Sequence, residues 1–154
     1  MGTFASLNRE VMMNQLLNYF KVNQRKTERI SSIHNYISNN IIRKGAISAY
    51  DGEKVIIPFN MGRGFMIGTG KGNSDWNYSA PHGAGRLFSR NKAKSTITIE
   101  EFRESMKGVW SSCIDEKHLD EAPGAYKPFE EIIENISDTV EIEKIITPIY
   151  NFKG

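Results

Sequence analysis

The apolar residues of this chain change period near residue 41, and that change limits the folds open to it. Over residues 4–22, Phe4, Leu7, Val11, Leu16 and Tyr19 recur at helical spacing with no Pro or Gly among them, which predicts a helix. From residue 41 the run "IIRKGAISAYDGEKVIIPF" holds two short β-like segments joined by Asp51-Gly52, a dipeptide favoured in tight hairpin loops. The run "GFMIGTG" is a third segment able to pair with them. Residues 68–85 are rich in Gly and Asn and read as a long loop, a kind of segment that often carries function.

Further along, a helix is expected from about Gly85 to Lys94. Thr98 as N-cap with Glu101 three residues later forms a capping box for another helix, which Gly108 closes. "KPFEEIIENI" predicts a helix with Pro128 in its first turn. "TVEIEKIITPIYNF" alternates partly and is β-branched, so it predicts a strand. The expected fold is α+β, a mixed or antiparallel β-sheet with flanking helices, as a single domain over 1–154.

Composition narrows the function classes. The 20 Lys and Arg against 18 Asp and Glu leave a net charge of +2, so any affinity for nucleic acid rests on local basic clusters. Cys113 is the single cysteine, which excludes an intrachain disulfide and a multi-thiolate zinc site. It also fits a reducing, cytoplasmic setting. No apolar run reaches the roughly 18 residues of a membrane span, so no membrane partner is expected.

The strongest local signal is "SAPHGAGRLFSRNKAK". His82 is followed by Gly83, Ala84 and Gly85, which let a phosphate approach the main chain closely. Were a helix to begin there, its free N–H groups would favour an anion. Arg86 and Arg90 would then share one helical face, and guanidinium forks bind phosphate. The site reads as a phosphate cradle with a nucleophilic imidazole aimed into it. The competing reading is a turn with a surface histidine and an exposed basic helix. His34, in "SSIHNYI", is either a structural histidine or a metal ligand. His118 sits in the charged stretch "DEKHLDEAP" with no expected catalytic role.

The ordered set "LNRE", "IHNYI", "RKGAISA", "IPFNMG", "SAPHGAGRLFSRNKA", "DEAPGAYKP" and terminal "KG" resembles the C-terminal part of the RtcB-type RNA-splicing ligases, from about residue 4 to 154. The resemblance implies the C-terminal part of that fold. It also implies a GTP-dependent RNA ligase that joins 2′,3′-cyclic phosphate or 3′-phosphate ends to 5′-hydroxyl ends, with divalent manganese. His82 takes the place of the guanylylated nucleophile. Asn35, Gly83, Ala84, Gly85, Tyr126 and Lys153 fall at nucleotide positions, as do Asn60 and Met61 of the nucleotide loop. Lys44, Arg86 and Arg90 fall at RNA or phosphate contacts, and His34 at a manganese ligand.

Two departures follow from the same resemblance. The family's loop usually reads Gly-Ser-Met-Gly with another serine shortly after, and here Asn60 and Phe65 stand at the two serines. The family's other metal ligands lie upstream of the region seen here. A two-manganese centre is therefore not expected to assemble on this polypeptide alone. The expectation is a C-terminal fragment or truncated relative, weak or inactive alone. It would be partnered in trans by the missing half or a full-length ligase, with an archease-like activator as a further candidate partner. A non-catalytic module that binds a guanine nucleotide or RNA ends is the alternative.

Overall fold

The computed structural model describes residues 2–38 and 40–152. The chain divides into two compact units, over residues 1–30 and 31–154.

In the first unit, helix α1 spans Gly2–Tyr19, close to the expected helix. A 3₁₀ turn follows at Gln24–Lys26, capped by Asn23, whose side chain accepts from the Arg25 amide. The large apolar side chains Phe4, Leu7, Val11, Leu16 and Tyr19 are exposed.

Among the described residues, the second unit holds seven strands in three small sheets. Strands β1 (Tyr36–Ser38) and β2 (Ile41–Arg43) pair antiparallel. Strand β3 (Ala46–Ser48) pairs antiparallel with β6 (Ser79–Pro81), with Ala46 opposite Pro81. Strands β4 (Lys54–Pro58), β5 (Phe65–Gly70) and β7 (Val140–Ile146) form a three-stranded antiparallel sheet in the order β4-β5-β7. The mixture of antiparallel sheets and helices is the α+β fold that the sequence predicts.

Three local expectations differ from the structure. Asp51-Gly52 does form a turn, with Gly52 at φ +75°. The strands on either side of it do not pair with each other: β3 goes to β6 and β4 to β5. The turn is a corner between sheets rather than a hairpin loop. The stretch 68–85 is not one loop either, because β5 runs to Gly70 and β6 lies within it. The helix expected from Gly85 begins later: α2 is Arg90–Thr96, with Ser89 as N-cap accepting from the Lys92 amide.

Other signals are met as expected. Helix α3 (Ile99–Ser105) carries the Thr98–Glu101 capping box with both reciprocal bonds. Gly108, at φ +87°, lies just beyond it. Helix α4 (Phe129–Asn135) has Pro128 at its N-cap.

Two apolar clusters hold the second unit together. The larger packs Ile47, Val55, Ile57, Phe59 and Met66 against Ile132, Ile136 and Val140, so the β3–β6 pair, the three-stranded sheet and α4 share one core. The smaller gathers Met61, Phe102, Met106, Val109 and Leu119 around α3. Phe59 belongs to one cluster and Met61 to the other. Asn60 is thus held between two packed anchors, and packed anchors hold the loop that carries it in one geometry.

Candidate functional site

His82 directly follows Pro81, the last residue of β6. Because Ala46 pairs with Pro81, the residues next to this pair, Gly45 and His82, come together. A Cβ built on Gly45 would lie 3.4 Å from His82 Cδ2 and 3.5 Å from Nε2. Gly45 also sits at φ +70°, which a side chain would resist. Its amide donates to Asn35 Oδ1 at 2.9 Å, and Asn35 is itself left-handed at φ +64°. Asn35 therefore fixes the backbone that flanks the His82 ring.

His82 also stacks on His34, with ring centroids 4.9 Å apart and planes 12° apart. Burial, and next the neighbouring His34, hold His82 below the ordinary histidine pKa, against a backbone hydrogen bond that acts the other way. A neutral imidazole keeps a free lone pair, which is what a nitrogen nucleophile requires.

The Gly-rich segment after His82 is not the N-terminus of a helix. The Ala84 amide donates to the Pro58 carbonyl at 3.1 Å. Leu87 N–H donates to Ala125 O at 2.9 Å, and Lys127 N–H donates to Gly85 O at 3.1 Å. Residues 85–87 thus run as a bridge beside residues 125–127, with Arg86 opposite Tyr126. A Cβ at Gly83 would stand 3.1 Å from the Pro58 carbonyl. Glycine lets the loop lie against the end of β4.

This arrangement opens a cavity of about 750 Å³ whose lining includes His82, Gly83, Ala84, Gly85, Arg86 and Arg90 together with Asn60, Met61 and Tyr126. A volume of that size accommodates a nucleotide-sized ligand. Met61 is itself buried in the smaller core, so its main chain is the part available to a ligand. Asn60 Oδ1 accepts from the Gly62 amide at 3.1 Å and the Arg63 amide at 2.9 Å. That oxygen is committed to shaping the β4–β5 turn. Phe65 lines both this cavity and a smaller one that His34 and His82 share.

The two arginines converge by a route other than the expected common helical face. Arg86 donates Nε–H to Phe88 O at 3.2 Å and Nη1–H to Tyr126 Oη at 3.2 Å, and Nη2–H to Asp120 O. Its guanidinium carbon lies 4.9 Å from the Tyr126 ring centroid. Arg90 Nη1 reaches Asp120 Oδ2 at 2.6 Å and Glu121 Oε1 at 2.7 Å. Tyr126 Oη donates to Glu121 Oε2 at 2.8 Å.

Asp120 and Glu121 are the positioning carboxylates that sequence reasoning missed. The acidic pair in "DEAPGAY" was visible, but nothing in its spacing tied it to arginines thirty residues upstream. Burial pushes Asp120 up, but Arg90 and Lys94 outweigh it and hold the carboxyl below its usual value. Burial, and then Glu121, push the Tyr126 hydroxyl up to about 12.

The remaining candidates lie elsewhere. Lys44 is exposed and lines a separate cavity beside β2 and β6. His118 Nδ1 pairs with Asp115 Oδ1 at 2.8 Å and does not line the His82 cavity. Lys153 lies outside the described residues. For manganese, His34 offers one imidazole, and the described residues contain no group of three His, Cys, Asp or Glu side chains placed to hold a metal.

The family model described as tRNA-splicing ligase RtcB matches residues 2–154. The chain belongs to the RtcB family. It is 34% identical over 169 residues to the RNA-splicing ligase RtcB of Escherichia coli strain K12, covering 98% of this chain and 41% of that protein. It is 33% identical over 135 residues to the tRNA-splicing ligase RtcB of Aeropyrum pernix, covering 74% of this chain and 28% of that protein. The chain thus spans about two fifths of the length of its Escherichia coli relative. Within that RtcB segment, His82, the glycine loop, both arginines and Tyr126 meet at one cavity, while Lys44 faces another.

Proposed function

We propose that this chain is the nucleotide-carrying part of a GTP-dependent RNA ligase. It would join RNA 3′-phosphate or 2′,3′-cyclic phosphate ends to 5′-hydroxyl ends through a histidine–GMP intermediate. The observation that carries the reading is a neutral-leaning His82 lining one cavity with the glycine loop and two arginines.

In this reading a ring nitrogen of His82 attacks the α-phosphorus of GTP. A nitrogen–phosphorus bond forms, the bond from the α-phosphorus to its bridging oxygen breaks, and pyrophosphate leaves. Arg86 and Arg90 offset charge on the phosphate oxygens, held in place by Asp120, Glu121 and Tyr126. Asn35 and Gly45 keep the imidazole from turning. The terminal phosphate of the RNA then takes GMP from His82, and the 5′-hydroxyl displaces GMP to close the phosphodiester. His34 would supply one ligand of a manganese ion, with the others coming from a further polypeptide segment. That segment or a full-length ligase is then a required partner, with an archease-like activator a further candidate.

The test is incubation of the purified chain with α-labelled GTP and manganese, alone and mixed with a full-length RtcB ligase whose nucleophilic histidine is replaced. Weak labelling alone, strong labelling in the mixture, and none with His82→Ala are expected. The absence of a metal-holding group among the described residues favours one second reading, a module that binds a guanine nucleotide without chemistry. Undiminished GTP binding with no label on His82, alone or in the mixture, would decide for that reading.

A further inference from the structure

Arg43, at the end of β2, is 2% exposed, and no ion pair reaches it among the described residues. Its Nε–H donates to Ser79 Oγ at 3.0 Å, and Nη2–H donates to the Asn77 and Tyr78 carbonyls at 3.2 Å each. The Tyr36 and Tyr50 rings flank the guanidinium, with centroids 5.4 and 5.5 Å from its central carbon. Every acceptor on it is neutral. Nη1 is buried with no hydrogen-bond partner, the one such side-chain atom among the described residues. A guanidinium stays charged at any ordinary pH, and a buried charge without an opposite charge is strongly disfavoured.

Arg43 lines a cavity of about 380 Å³ with no Asp or Glu in its wall. Lys44 and Trp76 line the same cavity, and Trp76 is 58% exposed. The backbone that joins Trp76 to Arg43 is strained. Asn77 and Tyr78 stand at φ +50° and +51°, a conformation that side chains other than glycine seldom adopt. That strain turns both carbonyls onto Arg43 immediately after an exposed indole. A buried cation, a surface lysine and an exposed flat ring around one pocket are the parts of a single-strand nucleic-acid subsite.

We propose that this cavity holds a backbone phosphate of single-stranded RNA against Lys44, in the field of the buried Arg43 charge, with the adjoining base stacked on Trp76. The proposal rests on the reading of the chain as an RNA-handling protein, and it locates a strand contact outside the His82 cavity. Pro81 lines this pocket and directly precedes His82, so a strand seated here runs toward the nucleophile.

The experiment is nuclear magnetic resonance titration of the nitrogen-15-labelled full chain. One probe is inorganic phosphate and the other is hexa-adenylate RNA with hydroxyls at both ends. Both are expected to move the Arg43 Nε–H resonance, and the RNA is expected to move the Trp76 indole as well. Trp76→Ala should weaken RNA binding about tenfold while leaving the phosphate response at Arg43, and Arg43→Gln should remove both responses. Resonances of Arg43 and Trp76 that stay still with RNA would overturn the proposal. So would RNA affinity unchanged by Trp76→Ala, a result that does not depend on Arg43→Gln folding. Labelling of His82 by GTP is measured separately. Its absence with the Arg43 and Trp76 shifts intact would overturn the ligase reading and leave this one standing.

Discussion

The imidazole rings of His34 and His82 lie nearly parallel, with centroids 4.9 Å apart. Two imidazoles at that distance resist sharing positive charge, and burial adds to the effect on His82. The folded pKa of His82 is therefore below its unfolded value of 6.5. The unfolded chain binds the proton more tightly, so His82 contributes stability above pH 6.5 that is lost as pH falls through the folded value. Removing His34 should raise the His82 pKa only part of the way, because burial is the larger cause. Proton chemical shifts of His82 against pH, in metal-free buffer, would read the change in His34→Ala. An unchanged midpoint would refute the coupling.

Glu121 links Arg90, Arg86 and Tyr126. Replacing it with Gln should lower the Tyr126 hydroxyl from about 12, again only in part, since burial remains. Ultraviolet titration of Glu121→Gln against Glu121→Gln with Tyr126→Phe isolates that hydroxyl. The same change should weaken GTP binding, because Arg86 and Arg90 lose a shared anchor. Calorimetric titration with GTP would show wild-type affinity if the carboxylate were a bystander.

Gly64 belongs to the β4–β5 turn that carries Asn60. It sits at φ +75°, and an added Cβ would fall 2.1 Å from the Ile146 carbonyl on β7. Gly64→Ala should cost at least about 2 kcal/mol, seen as a lower urea midpoint with an unchanged slope. Gly52, also at positive φ but with nothing within 4 Å of the added Cβ, should cost less. Equal losses at the two positions would contradict the role given to the β7 contact.

The capping box at α3 is a local device, and its removal should have a local-sized effect. Thr98→Ala should cost about 1 kcal/mol, whereas Phe102→Ala, fully buried in the smaller core, should cost roughly 3–5 kcal/mol. Denaturant melts of both variants check the ratio.

The signals that held in the sequence were those whose physics is short-ranged. Thr98 and Glu101 make their bonds within one turn, so spacing alone revealed them. Pro128 and Gly108 mark helix ends for the same reason. Asp51-Gly52 was read correctly as a turn and wrongly as a hairpin. The turn depends on two residues, while strand partnership depends on β5 and β6, which lie beyond any local window. Arg86 fell outside α2 because residues 85–87 bond to residues 125–127, a pairing invisible in spacing. His82 stood out through its bare neighbours, and the family resemblance supplied its role. The carboxylates that aim the arginines, and the uncompensated charge at Arg43, became visible only in three dimensions.

Strand β5 lies between β4 and β7, and a ribosome delivers β7 after the other six strands of the described residues. Until it emerges, β5 has one bare edge, and the turn holding Asn60 lacks the Ile146 contact beside Gly64. The growing polypeptide therefore carries an unzipped sheet margin until that last strand is made. A bare strand edge of that kind is a ready template for pairing with another extended segment.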